Sequence, residues 1–154
     1  MFGLLLFTVT VWTSSAVLGS REHMCIHPKV NPLASKNNNT QPVSSSDVNH
    51  SCNKLNKERK CTYRNTLDEY GSDWHPPSDD RQAGDDSQPV RDMEDLVTAG
   101  KQFRACPFYY TRGLIAGAEI IFVPYNYLFD RDARESTLAE VDFANSVLIF
   151  DEAQ

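Results

Sequence analysis

The sequence has no C-x-x-C pair, which excludes the short-spaced knuckle that usually grips a structural zinc. It has no G-x-x-x-x-G-K-S/T either, so the loop that ordinarily cradles a nucleotide's phosphates is absent. No apolar run reaches the roughly 20 residues that span a bilayer, and a membrane is not an expected partner. The opening MFGLLLFTVTVWTSSA has the apolar length of a signal-peptide core and small residues after it. No Lys or Arg precedes it, however, as a positively charged leader requires. It reads as a buried strand, or as a start foreign to the rest of the chain.

What is present is unevenly spread. A hydrophobic content of 40% and a mean hydropathy of -0.47 average two apolar ends and a polar middle. The net charge of -6 has a local origin. Between Asp68 and Asp95 there are ten acids against two bases, Arg81 and Arg91, so the acidity does not exclude a nucleic-acid partner elsewhere. The stretches NPLASKNNNTQPVSSSDVNHS and GSDWHPPSDDRQAGDDSQPV carry too little apolar surface to offset the entropy of ordering. Both are expected to be mobile loops, over about residues 31–51 and 71–90. The first contains the glycosylation patterns NNT from Asn38 and NHS from Asn49, which chance also supplies in an Asn/Ser-rich segment.

From Arg91 onward helix and strand alternate. DMEDLVTAGKQFRA has Asp92 as N-cap, acids at Glu94 and Asp95, and apolar Met93, Leu96 and Val97 at helical spacing. PFYYTRGLIAG opens on Pro107, favoured at the first helical position, and closes near Gly117. AEIIFVPY is a buried-strand candidate stopped by Pro124, and YNYLFDRDARESTLAEVDF is mostly helical. Ser146–Phe150 reads as another buried strand. Strand, helix, strand implies an α/β class with a parallel sheet covered on its faces. Asp151 and Glu152 follow at the carboxyl end of that last strand, where open α/β sheets bind ligands. Two acids there suit a Mg²⁺-bound nucleotide, one in the metal's shell and the other activating water.

Four cysteines, Cys25, Cys52, Cys61 and Cys106, are separated by 27, 9 and 45 residues. An even count in a loop-rich stretch allows two disulfides, a tetrahedral metal site or an Fe–S cluster, and spacing does not choose among them. Cys106 precedes Pro107 and should sit at a helix N-terminus, where the macrodipole favours the thiolate that binds metal. Between Cys52 and Cys61, Lys54, Lys57, Arg59 and Lys60 outnumber Glu58. Such a run tracks a phosphate backbone or is simply a solvated face.

With these residues assembled, the chain resembles the iron–sulphur DNA helicases of superfamily 2. That branch holds the xeroderma pigmentosum group D, Fanconi anaemia group J and telomere-elongation-regulating helicases, and the last looks most similar. The matching segments are VLGSREHMCIHPKV, the SC and KC pair nine residues apart, DMEDLVTAGKQFRACPFYYTR, AEIIFVPYNYLFD and VLIFDEAQ, in family order. The resemblance implies a partial RecA-like parallel sheet, α/β in class, carrying an inserted, mostly helical and loop-rich four-cysteine iron–sulphur domain. Its expected boundaries are 1–24 for the apolar opening and motif Ia edge, 25–106 for the iron–sulphur domain, and 107–154 for the RecA-like continuation.

Site roles follow from the same resemblance. Cys25, Cys52, Cys61 and Cys106 match the four ligands of a [4Fe–4S] cluster. GSRE looks like motif Ia, which makes Arg21 either a DNA phosphate contact or a cation that stabilises the cluster. Lys54, Lys57, Arg59 and Lys60 become DNA-binding candidates. DEAQ is similar to motif II, with Asp151 holding the Mg²⁺ of Mg–ATP and Glu152 polarising water. Gln154 stands where the family has His. The implied parent is a nuclear, ATP-dependent DNA helicase, 5′-to-3′, working on single strands and forks in repair or telomere maintenance. Without the phosphate loop, the chain alone is expected to hydrolyse ATP negligibly; turnover lost on Glu152→Gln would contradict that. The alternatives are a secreted disulfide-stabilised binding protein and a non-enzymatic four-cysteine zinc module binding nucleic acid.

Overall fold

The computed structural model describes residues 14–32, 44–70 and 92–151. Their elements, in chain order, are β1 (Ser15–Val17), α1 (Arg21–Met24), α2 (Ser45–Lys57), α3 (Thr62–Tyr70), α4 (Met93–Phe103), α5 (Pro107–Gly113), β2 (Ile120–Phe122), α6 (Asn126–Phe129) and α7 (Arg131–Thr137). Short 3₁₀ turns lie at Ile115–Gly117 and Phe143–Asn145.

α1, α2, α4 and α7 begin where their capping residues stand. The Asp92 carboxylate accepts the Asp95 N–H at 2.8 Å and opens α4, which buries Leu96, Ala99 and Gly100. Pro107 is the first residue of α5, and the 3₁₀ turn after it ends at Gly117, as the pattern predicts. The helical reading after Pro124 resolves into α6 and α7, divided at Asp130. That residue ends α6 and caps α7 by accepting the Ala133 N–H at 2.8 Å.

The first half of α2, up to Ser51, occupies ground expected to be a mobile loop. Ser44 accepts the Asp47 N–H at 3.2 Å, and Val48, Cys52 and Leu55 then fall at i, i+4 and i+7 on one face. Val48 and Cys52 are buried. A stripe of three apolar residues holds the helix down, and polar composition hides so thin a stripe. The remaining residues of the two predicted loops, 33–43 and 71–90, lie outside the described residues.

The sheet is parallel, but its partners differ from those expected. β1 pairs with β2 in the register Ser15↔Ile120, Ala16↔Ile121, Val17↔Phe122. Ser146–Phe150 forms no strand, and Val147 and Ile149 are 87% and 90% exposed. An apolar run becomes a buried strand only when neighbours take its backbone N–H and C=O groups. Nothing among the described residues pairs with this one.

Three clusters form the core. Met24, Leu67, Leu96, Ala105, Cys106 and Phe108 join α1, α3, α4 and α5. Cys25, Val30, Val48 and Cys52 join α1 to α2. Leu18, Ile115, Tyr127 and Leu138 pack beside the sheet. Three of the four cysteines thus belong to these clusters. Among the described residues, no helix is long and apolar enough to cross a membrane.

Candidate metal centre and the cations around it

Four short elements bring the cysteines together. Cys25 follows α1, Cys52 lies within α2, Cys61 precedes α3, and Cys106 is the N-cap of α5. All four are free thiols, 8% exposed, and all four line one cavity. The backbone holds them there. The Cys106 N–H donates to the Tyr63 carbonyl at 3.0 Å, which ties the start of α5 to α3. Buried Asn31 donates to the carbonyls of Glu22 at 2.7 Å and Cys25 at 3.1 Å, fixing the loop that presents Cys25. Asn56 donates to the Tyr109 hydroxyl at 2.7 Å and reaches the Cys52 sulphur at 3.5 Å.

Burial dominates the chemistry of these thiols. It pushes Cys25 up to about 11 and Cys106 up to about 12, and the neighbouring sulphurs add to the rise at both. Cys61 is raised for the same reasons. The thiolate expected at the N-terminus of α5 is therefore not favoured by the helix alone. The Tyr109 N–H does stabilise the anion of Cys106, but desolvation outweighs it. Thiolates sharing this wall need a positive charge among them.

The donor set fits such a charge. Among the described residues, no group of three His, Cys, Asp or Glu side chains closes on one point as a single ion demands. The same four thiols nevertheless line one common cavity. A single zinc asks for four sulphurs at about 2.3 Å from one centre. A four-iron cluster takes its four thiolates as a spread set.

Arg21 stands at the wall of this cavity. Its guanidinium lies 4.4 Å from the centre of the Phe108 ring and donates to Asn49 Oδ1 at 3.3 Å, and its Nε is buried with no partner. Burial pulls its pKa down, but hydrogen bonds and charge at Tyr109 and Cys52 outweigh that and leave it raised. Arg112 stacks on the same Phe108 ring at 3.5 Å. It donates to the carbonyls of Phe108 at 3.1 Å and Gly19 at 3.4 Å and to the Tyr127 hydroxyl at 2.9 Å. Burial and the nearby charge of Arg21 lower its pKa.

The other predicted cations sort themselves by contact. Lys54, Lys57, Arg59 and Lys60 are all exposed at the end of α2. Lys60 pairs with Glu58 at 2.7 Å, and the other three form no ion pair among the described residues. Arg64 bonds Asp68 at 3.1 Å and lies 4.3 Å over the Tyr109 ring. Asp151 is exposed, away from the cavity wall, and its carbonyl accepts the Tyr125 hydroxyl. Phe150 beside it stacks with Tyr125 at 6.1 Å and with Phe129 at 6.0 Å. Glu152 and Gln154 lie outside the described residues.

Sequence reasoning missed Tyr109, Asn56, Asn31 and Arg112. Tyr109 had a signal, since it sits three residues beyond Cys106 on one helix face. The two asparagines had none.

The DEAD_2 family profile matches residues 7–154. The chain belongs to the DEAD_2 family. Among similar proteins, regulator of telomere elongation helicase 1 of Homo sapiens is 39% identical over 137 residues, 89% of this chain and 10% of that protein. The Arabidopsis thaliana homologue is 42% identical over 137 residues, covering 89% of this chain and 11% of its own length. The Anopheles gambiae homologue is 36% identical over 146 residues, 95% of this chain and 13% of that protein. The helicase resemblance drawn from the motifs therefore stands, as does the mixed α/β class with a small parallel sheet. This DEAD_2 chain is a helicase-family member that spans about a tenth of the length of the curated relatives it matches. The four cysteines, Arg21 and Asp151 all fall inside the family match.

Proposed function

We propose that the chain is a segment of an ATP-dependent DNA helicase in which Cys25, Cys52, Cys61 and Cys106 hold a [4Fe–4S] cluster. One observation carries this reading. Four buried thiols, spread over 82 residues (Cys25 to Cys106) of a helicase-family chain, line a single cavity. When bound, the cluster would supply a compact positive core that partly offsets the thiolates' charge and pins α1, α2, α3 and α5 together. The protein's share is positional. Asn31 fixes the loop of Cys25, Asn56 orients the Cys52 sulphur, and the Tyr109 N–H donates to Cys106. Arg21 offsets negative charge at the wall, which favours its cluster-facing role over a phosphate contact.

The remaining roles complete the reading. Residues 25–106 form the iron–sulphur domain, and residues before and after it belong to the first motor domain. Asp151 coordinates the Mg²⁺ of ATP, and Glu152 polarises the attacking water. Lys54, Lys57, Arg59 and Lys60 contact DNA, as single strand or fork. The relatives are named for regulating telomere elongation. That supports a nuclear parent in telomere maintenance or DNA repair, moving 5′ to 3′.

The test is anaerobic purification followed by iron and sulphide analysis. A brown protein with close to four irons and four sulphides per chain, bleaching in air, is the expected result. A colourless zinc-loaded chain, or one with all cysteines in disulfides, overturns the cluster assignment.

A further inference from the structure

Two positive charges share one ring. The guanidiniums of Arg21 and Arg112 lie 4.4 Å and 3.5 Å from the centre of the buried Phe108 ring. Neither arginine forms an ion pair among the described residues. Like charges this close repel, and partial burial leaves the repulsion poorly screened. Burial and, beyond it, the charge of Arg21 lower the Arg112 pKa accordingly. Arg21 and Phe108 both line the thiol cavity, so the charge held there bears on this pair.

Arg112 is placed as a joint. It lies in α5, the helix whose N-cap is Cys106, and donates to the Phe108 carbonyl at 3.1 Å. Its Nη2 donates to the Gly19 carbonyl at 3.4 Å and to the Tyr127 hydroxyl at 2.9 Å. Tyr127 in turn donates to the same Gly19 carbonyl at 3.2 Å. Gly19 precedes Ser20, the N-cap of α1, and α1 carries Arg21 and closes on Cys25. The turn has no slack, since a Cβ on Gly19 would lie 2.9 Å from the Met93 sulphur. Tyr127 belongs to α6 and to the sheet-side cluster with Leu138, and Tyr125 at the start of α6 donates to the Asp151 carbonyl. One rigid planar fork of donors therefore joins the helices that present Cys25 and Cys106 to the helix bonded to Asp151.

We propose that Arg112 is a positioning residue that couples occupancy of the thiol cavity to the seating of α6. An occupied cavity carries net negative charge, because four thiolates outweigh the core they surround. That charge offsets Arg21 and eases its repulsion of Arg112, so the fork closes more firmly on Gly19 and Tyr127. The coupling is reciprocal by thermodynamic necessity: a fork deprived of Tyr127 holds the occupant of the cavity less well. The inference rests on the four-thiol cluster reading above and extends it to Phe108, Arg112 and Tyr127.

The test is a double-mutant cycle on the anaerobically purified chain, read as the rate of iron release to the ferrous chelator bathophenanthroline disulfonate. Tyr127→Phe removes one hydroxyl and should speed release about threefold to tenfold. Arg112→Gln should speed it at least as much, and the double variant should release no faster than Arg112→Gln alone. Arg112→Lys keeps the charge without the fork and should behave as Arg112→Gln does; it takes that place in the cycle if the glutamine variant does not fold. Leu138→Ala, in the same cluster but offering the fork no hydrogen bond, should melt at least as early as Tyr127→Phe while its release stays within about twofold of the parent chain. Effects of Arg112 and Tyr127 that multiply in the double variant overturn the inference, as do release rates that follow melting temperature across all the variants. A chain that holds zinc overturns the cluster reading alone, and the same cycle read by zinc release to a chromophoric chelator then decides the coupling. A chain that takes up neither metal removes both.

Discussion

Cys106→Ser should strip the protein of the proposed cluster's iron and of its cooperative melt. Cys106 is the most desolvated of the thiols whose shift is resolved, pushed up to about 12, and it belongs to the central cluster with Met24, Leu96 and Phe108. A hydroxyl is smaller, harder and far less acidic than a thiol, so it replaces a soft ligand poorly. Three thiolates would then share a buried wall with an incomplete partner. Metal binding to a site of this kind contributes on the order of 10 kcal/mol, comparable with the whole stability of a small domain. Iron content should fall from close to four per chain to below about one. The thermal transition should broaden or vanish. Iron and sulphide assays alongside circular dichroism check both. Lys57→Ala, on the exposed face of α2, should change neither. A Cys106→Ser protein that retained full iron would remove Cys106 from the ligand set.

Gly100→Ala sets two effects against each other. In a helix interior alanine is favoured over glycine by about 1 kcal/mol. Here the added Cβ would lie 2.5 Å from Pro107 Cγ and 2.8 Å from the Ala105 carbonyl oxygen. Neither neighbour yields easily, one being a closed ring at the start of α5 and the other backbone. Overpacking of this kind costs about 1–3 kcal/mol, and a collision this close sits at the upper end. The collision wins. The expected net loss is about 2 kcal/mol, a drop in melting temperature of roughly 4–8 °C. Iron retention should weaken too, because the displaced Pro107 follows Cys106 directly. Gly113→Ala is the control: nothing lies within 4 Å of its would-be Cβ, so it should be neutral or slightly stabilising. Equal melting of the two variants would show that α4 and α5 have room to separate.

Much of the local structure was legible because local signals act within a few residues. Asp92 announced α4 by accepting a first-turn backbone N–H, and Pro107 announced α5 because it has no N–H to leave unpaired there and its φ is already helical. The motif order named the family, since five short segments in sequence are specific where each alone is not. The first half of α2 escaped notice because one stripe of buried Val48 and Cys52 with half-buried Leu55 suffices to hold a polar helix. The strand expected at Ser146–Phe150 failed for the opposite reason. Its apolar run was real, but a strand is defined by its partners, and the sheet paired β1 with β2 instead.

The linear order of residues settled which side chains were available: four soft ligands, a basic run, two terminal acids, and the caps that start the helices. It could not say what those side chains face. Arg21 was open between phosphate and cluster, and packing against Phe108 put it at the cavity wall. Lys60 is paired with Glu58, while Lys54, Lys57 and Arg59 form no ion pair among the described residues, and all four are open to solvent. The thiols came to line one cavity only when α1, α2, α3 and α5 folded against one core. Convergence of residues 27, 9 and 45 positions apart is a property of packing, because desolvation and mutual charge act across space and leave no periodic trace along the chain.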